Sequence, residues 1–294
     1  MKDKIIRGIT EDKYVRFFAV DSTETVREAK KIHNLSITNS VIMGRAISAA
    51  LILGVDLKSA SNVMTLKIDG DGNCGHVIVT SNNLGEVKAY MRNPEYETPL
   101  NMQTKRLDIK AALGNGTLTL IKDLGMKQPY VGQVELLYGE IAQDLAYYFV
   151  KSEQIPTSVG LGVLVDQDGS IRKSGGFMIQ LMPNTPDEII TKIEDNLAKF
   201  PNLTDVMDMG FDIEEIINKF ILKDMNPKVT LTSEAKYKCN CSREKFRTAL
   251  SLLDKEELIE AMEKDEDIVT ECHFCNKTYA FNSIEIKEFL ENKK

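Results

Sequence analysis

Tryptophan is absent from this 294-residue chain, proline occurs 8 times, and aromatic residues make up only 7%. A core without tryptophan must be assembled mainly from Ile, Leu, Val and Met, and 43% hydrophobic content is enough for a sizeable one. Long apolar runs are also missing. The most apolar stretch, Ala46 to Val55, is half the roughly 20 residues that a spanning helix requires, with Arg45 and Asp56 at its flanks. It reads as a buried helix, and no membrane association is expected. Met1-Lys2-Asp3-Lys4 places charges where a secretory leader needs apolar residues, so a cytoplasmic protein is expected. No phosphate-binding glycine loop opens a helix, which argues against nucleotide binding.

The acidity sits in the last third. Residues 181–231 carry 5 basic and 10 acidic side chains, and residues 232–294 carry 11 and 14. An acidic tail disfavours phosphate backbones, so no nucleic-acid partner is expected.

What is present up to residue 182 alternates strand-like and helix-like patterns. Tyr14–Val20 is β-rich. Asp21 followed by Glu24 has the spacing of a capping box opening a helix toward His33, and a second helix is expected from about Thr38 to Leu53. Strands are expected at Val63–Asp69, His76–Thr80, Val87–Met91, Thr117–Lys122 and Tyr130–Leu136, then a helix near Glu140–Lys151. Val159–Asp166 and Gly176–Leu181 flank Asp168-Gly169, a hairpin signal. Pro183-Asn184-Thr185-Pro186 changes the character of the chain. Ile189, Ile190, Ile193, Leu197 and Phe200, then Ile213, Ile216, Ile217 and Phe220, recur at helical spacing with acidic outer faces.

The expected fold is therefore α+β. A hairpin-rich sheet with packed helices spans 1–182, an amphipathic helical linker spans 183–231, and a small C-terminal metal-binding domain spans 232–294. That last segment is highly charged and poor in aliphatics, and segments of its size usually need a disulfide or metal staple.

Five cysteines make an odd set, unlike a secreted disulfide framework. Cys74, in Gly-Asp-Gly-Asn-Cys-Gly, reads as a half-buried thiol without a role at the start of a strand. Cys239-Asn240-Cys241 and Cys272-His273-Phe274-Cys275 stand 30 residues apart. Two such pairs can close a tetrathiolate shell around one zinc ion, so all four are candidate ligands. The tight C-x-C arm admits only a strained, labile disulfide, and metal-held thiolates stay deprotonated and open to oxidants. His273 is expected to face solvent, and His33 and His76 have no partnering motif. The four-cysteine reading leaves open a zinc ribbon that binds nucleic acid and a thiol-disulfide oxidoreductase, though the acidic tail opposes the first and the missing βαβ setting opposes the second.

With these cysteines, the segments Gly139-Glu140-Ile141-Ala142, Ser152-Glu153-Gln154-Ile155-Pro156-Thr157, Gly175-Gly176-Phe177-Met178-Ile179-Gln180-Leu181-Met182-Pro183 and Gly44-Arg45-Ala46 resemble the bacterial 33 kDa chaperonin family, redox-regulated holdases also called heat-shock protein 33. The resemblance covers essentially the whole chain. It implies a non-enzymatic stress-response chaperone that is reduced, zinc-bound, inactive and monomeric until oxidised. Oxidation would then pair Cys239 with Cys241 and Cys272 with Cys275, release zinc, and give a homodimer that binds unfolded or oxidatively damaged proteins without ATP. His273 stands where the family commonly has an acidic residue.

Overall fold

The computed structural model describes residues 2–100, 107–250, 252, 256, 258, 259 and 267–291. The fold is α+β, and the chain divides into two compact units, Met1–Lys238 and Cys239–Lys294.

In the first unit, β1 (Lys4–Thr10) and β2 (Val15–Asp21) form a hairpin, followed by α1 (Thr23–His33) and α2 (Ile37–Gly54). β3 (Val63–Gly70), β4 (Val77–Ser81) and β5 (Glu86–Met91) form a meander. After α3 (Ile109–Leu113), β6 (Gly116–Asp123) and β7 (Tyr130–Glu135) pair as a second hairpin. Next come α4 (Ile141–Tyr148), which ends in a π-helical turn over Phe149–Glu153, and the long hairpin of β8 (Thr157–Val165) and β9 (Ile171–Leu181). Each expected strand is present within a few residues. The Asp168-Gly169 turn closes β8 to β9, with Gly169 in the left-handed region at φ 81°.

Where one sheet was expected there are two. A five-stranded sheet runs in the order β10-β1-β2-β9-β8 and a six-stranded one in the order β11-β5-β4-β3-β6-β7, the strands β10 (Pro227–Glu234) and β11 (Lys236–Tyr237) being described below. Helix α2 packs against strands of both sheets. Its 18 residues are apolar enough to cross a membrane by composition, yet 89% of them are buried inside the protein, which is the signature of a core helix. The run Ala46–Val55 belongs to it. Gly44 is required there, since a Cβ would lie 2.7 Å from Val163 and 3.0 Å from Val26.

The expected Asp21/Glu24 capping box does not form. The Asp21 carboxylate turns to Thr23, and the hydroxyl of Ser22, the N-cap, shares hydrogen bonds with the hydroxyls of Ser48 and Ser174. Helix α1 is capped from far along the chain instead, because the amides of Glu24 and Thr25 donate to the Asp3 carboxylate at 2.9 and 2.6 Å.

The acidic helices are α5 (Asp187–Lys199), α6 (Leu203–Asp208) and α7 (Ile213–Ile216), the last continuing as a π-helical turn over Ile217–Ile221. Their apolar stripes are core. Ile193, Val206, Met207, Ile213, Ile216 and Ile217 close over Ile6, Phe17, Ala19, Phe177 and Ile179 of the five-stranded sheet. That explains why β2 is apolar on nearly every residue: Phe17 and Ala19 meet these helices while Phe18 and Val20 enter the α2 core.

The chain then lays β10 against β1 and adds the two-residue β11, parallel, to β5. The boundary read at 231/232 falls inside β10, and the compact division comes after Lys238. Backbone pairing does not depend on the polar composition of Thr232, Ser233 and Glu234.

In the second unit, the helix Arg243–Leu250, the hairpin of β12 (Ile268–Glu271) and β13 (Thr278–Phe281), and the helix Ser283–Glu291 share a small core. Leu250, Leu258, Phe281 and Ile286 make up its described buried cluster.

Candidate metal centre

Cys239-Asn240-Cys241 leads into the helix Arg243–Leu250, where the Ser242 hydroxyl accepts the Lys245 amide at 3.3 Å. Cys272 and Cys275 occupy the turn between β12 and β13. The register ends at Glu271 opposite Thr278, and the Cys272 amide donates to the Lys277 carbonyl at 2.9 Å. The amides of Cys275 and Asn276 fold back on the Cys272 carbonyl at 3.0 and 2.7 Å, with Asn276 in the left-handed region at φ 56°. This reversal brings Cys272 and Cys275 into one cluster with the C-x-C arm.

All four sulfurs lie within 4.8 Å of one another. The nearest approaches cross between the arms, at 3.6 Å for Cys239 to Cys272 and 3.4 Å for Cys241 to Cys275. A tetrahedral shell with metal–sulfur bonds of about 2.3 Å separates its sulfurs by about 3.8 Å, so these thiols fit around one ion. Cys272 is buried and the other three are partly so.

The electrostatics show why such a cluster favours a cation. Burial pushes the Cys239 thiol up to about 12 and raises Cys275, against amide hydrogen bonds from Cys241 and Lys277 respectively. Burial also works against the Cys241 thiolate. There the Tyr279 hydroxyl and the neighbouring thiols outweigh it, bringing Cys241 down to about 7. Crowded sulfurs can lose their protons together only if a positive charge lies among them. Four thiolates suit a soft, tetrahedral divalent ion.

The four cysteines singled out from sequence are therefore the ones that meet. His273 lies between two of them and is exposed, outside the cluster. His33 is 3.0 Å from the Tyr237 hydroxyl and His76 packs on the Tyr90 ring, both in the first unit. Cys74 sits in a turn before β4, fully buried rather than half-buried, and burial pushes its thiol up to about 11.

Sequence reading missed Tyr279. Its hydroxyl lies 3.2 Å from Cys241 Sγ, and its ring stacks on Phe246 with centroids 4.9 Å apart. Only its β-rich setting beyond the second cysteine pair could have signalled it.

A family model described as Hsp33 protein matches residues 3–282. A 33 kDa chaperonin of Clostridium perfringens is 45% identical over 294 residues, covering 100% of this chain and 93% of its own. Another, from Thermoanaerobacter pseudethanolicus, is 42% identical over 291 residues, covering 99% and 98%. The crystal structure of a 33 kDa chaperonin (heat shock protein 33 homolog) from Thermotoga maritima matches with a TM-score of 0.91 at 36% identity, covering 100% of this chain and 99% of that one.

Proposed function

Since this chain belongs to the Hsp33 family, we propose that it is a redox-regulated, ATP-independent holdase of the cytoplasm, held inactive by one zinc ion on Cys239, Cys241, Cys272 and Cys275. The observation that carries this reading is four sulfurs within 4.8 Å in a unit whose described buried apolar cluster is four residues. Bound zinc would supply charge compensation for four thiolates and a crosslink between two distant stretches of chain.

Oxidation takes two electrons from each pair of thiolates and joins their sulfurs. With Cys239 joined to Cys241 and Cys272 to Cys275, the pairing that the family resemblance implies, neither disulfide links the two arms. The second unit then has no crosslink and too small a core to stay folded. Its apolar residues become available to unfolded or oxidatively damaged proteins, with which the active homodimer associates.

The loosening can travel by chain continuity. β11 is two residues long and is separated from Cys239 only by Lys238, which pairs with Glu86 at 2.6 Å, while the Tyr237 hydroxyl donates to the Ala89 carbonyl. Beyond it lie β10 and the helices α5 to α7, whose removal would uncover Phe17, Phe177 and Ile179. The turn of β12 and β13 is an unsuitable setting for an oxidoreductase, since no helix begins at Cys272.

The test is light scattering of a heat-unfolding client with the protein reduced and oxidised, with and without ATP. Protection by the oxidised form alone, independent of ATP, is expected. Equal protection in both states would refute the switch, and protection that needs ATP would refute the holdase.

A further inference from the structure

We infer that Tyr279 sets the rate at which the cysteine cluster oxidises, because its hydroxyl lies 3.2 Å from Cys241 Sγ, must donate to that sulfur once it is a thiolate, and so damps it as a nucleophile. The inference rests on the redox-switch reading above and concerns its kinetics.

Three sulfurs of the cluster have an identifiable donor outside it or on the cysteine backbone. Cys239 receives the Cys241 amide and Cys275 the Lys277 amide, both fixed by the course of the chain. Cys241 receives a side chain, the Tyr279 phenol, at 3.2 Å. The phenol is held in place on two sides. Its backbone is opposite Thr270 in the β12–β13 ladder, with the Thr270 hydroxyl donating to the Tyr279 carbonyl at 3.2 Å, and its ring lies on Phe246 at an interplanar angle of 29°. Phe246 is on the helix that directly follows the C-x-C arm, so the donor and its acceptor are positioned by the same small core.

With a hydroperoxide as oxidant, a sulfur lone pair attacks the O–O bond. An S–O bond forms, the O–O bond breaks, and the leaving oxygen departs as water after taking a proton. A second thiolate then attacks the oxidised sulfur, forming S–S and expelling the remaining oxygen, which also takes a proton and leaves as water. Two sulfurs give up two electrons, and one hydrogen peroxide becomes two waters. The first attack needs the electron density toward which the Tyr279 hydroxyl points, so that hydrogen bond must weaken on the way to the transition state. A donor that is stronger in the ground state than in the transition state slows the step.

Tyr279→Phe keeps the ring on Phe246 and deletes only the donor. Zinc per chain and the rate of passive zinc transfer to a chelator without oxidant should match the wild type. Under hydrogen peroxide, zinc release should accelerate roughly three- to tenfold, the loss of about one ordinary hydrogen bond. Mass spectrometry with a sulfenic-acid trap should find Cys241 modified earlier than in the wild type. Tyr279→Leu, which also removes the ring, should additionally speed passive release.

An unchanged peroxide rate in Tyr279→Phe overturns the inference while leaving the switch standing. Passive and oxidative release rising by the same factor, or a Tyr279→Phe protein that cannot retain zinc, also overturns it, because the hydroxyl would then be structural. Peroxide that releases no zinc from either protein defeats the switch itself.

Discussion

The two units bury their apolar side chains on different scales. In the first, one cluster fills the space between two sheets around α2, and a second lies between the five-stranded sheet and helices α5 to α7. In the second, four buried apolar side chains among the described residues and four sulfurs make up the centre. Burial contributes roughly 1.5–3 kcal/mol per large apolar side chain, against an ordering cost that grows with every residue fixed. The first unit can meet that cost from its own side chains. On the proposed reading the second depends on a ligand set, and its stability could therefore be removed by chemistry at sulfur without touching the first.

The strongest way to break that comparison is to remove one ligand. Cys272→Ser, at the buried sulfur, should abolish metal binding and unfold the second unit, since structural zinc supplies on the order of 10–16 kcal/mol in small metal domains. Hydrogen exchange should lose protection in β12 and β13 while amides of α2 stay protected. Loss of protection throughout the chain would mean that the two units are one cooperative system.

A smaller effect is expected where the helices cover the sheet. Ile213 and Ile217 are 3% and 1% exposed. Changing both to Ser should cost about 2–5 kcal/mol each, through lost burial and a hydroxyl placed among apolar neighbours. The midpoint of chemical unfolding should fall, and the reduced, metal-loaded protein should partly suppress client aggregation. A destabilised variant that stays inactive while reduced would remove the sheet face under α7 from the candidate client surface.

Much of this division was legible in the sequence, and for local reasons. The C-x-C and C-x-x-C spacings identify the cluster because ligand type and spacing are properties of short segments. The apolar stripe from Ile189 to Phe200 identifies α5 for the same reason, and Asp212 with Glu215 forms a capping box on α7 whose spacing could have been read. The failures are long-range. Asp3 caps a helix 21 residues away, β10 returns to pair with β1, and Tyr279 reaches a sulfur 38 residues back. In each case the partner is chosen by the folded arrangement, and the local pattern offers an equally good alternative, as Asp21 did for α1. The split into two sheets around α2 was hidden for a related reason, since alternation along a strand does not reveal which sheet it joins.

The cap on α1 sharpens the comparison through pH. Burial raises the Asp3 carboxyl from 3.8 to about 6, despite the hydrogen bonds of Thr25 and Glu24, and the nearby Asp21 adds to the rise. The folded protein therefore binds this proton more tightly than the unfolded chain. The resulting stability is fully present below about pH 4 and is lost as the pH rises through about 6, a change on the order of 3 kcal/mol. Asp3→Asn should remove that slope, so that wild type loses stability relative to the variant between pH 4 and 7 in unfolding of the first unit. A stability difference that is constant with pH would show that Asp3 titrates normally.

The smallest effect is expected at the cysteine outside the cluster, and it isolates what burial alone does to a thiol. Cys74 is fully buried, its sulfhydryl directed at the Gly75 carbonyl at 3.4 Å, and burial holds its thiol at about 11. Less than roughly one in a thousand copies is a thiolate at neutral pH, so oxidants and alkylating agents should pass it by. Cys74→Ser exchanges a weakly polar group for a hydroxyl in an apolar pocket and should cost about 1–2 kcal/mol, with full retention of metal. In the wild type, brief alkylation after metal removal should label Cys239, Cys241, Cys272 and Cys275 and leave Cys74 unlabelled until the first unit is denatured. Early labelling of Cys74 would mean that the first unit opens when the second does, and the contrast between a self-sufficient core and a metal-dependent one would fail at that point.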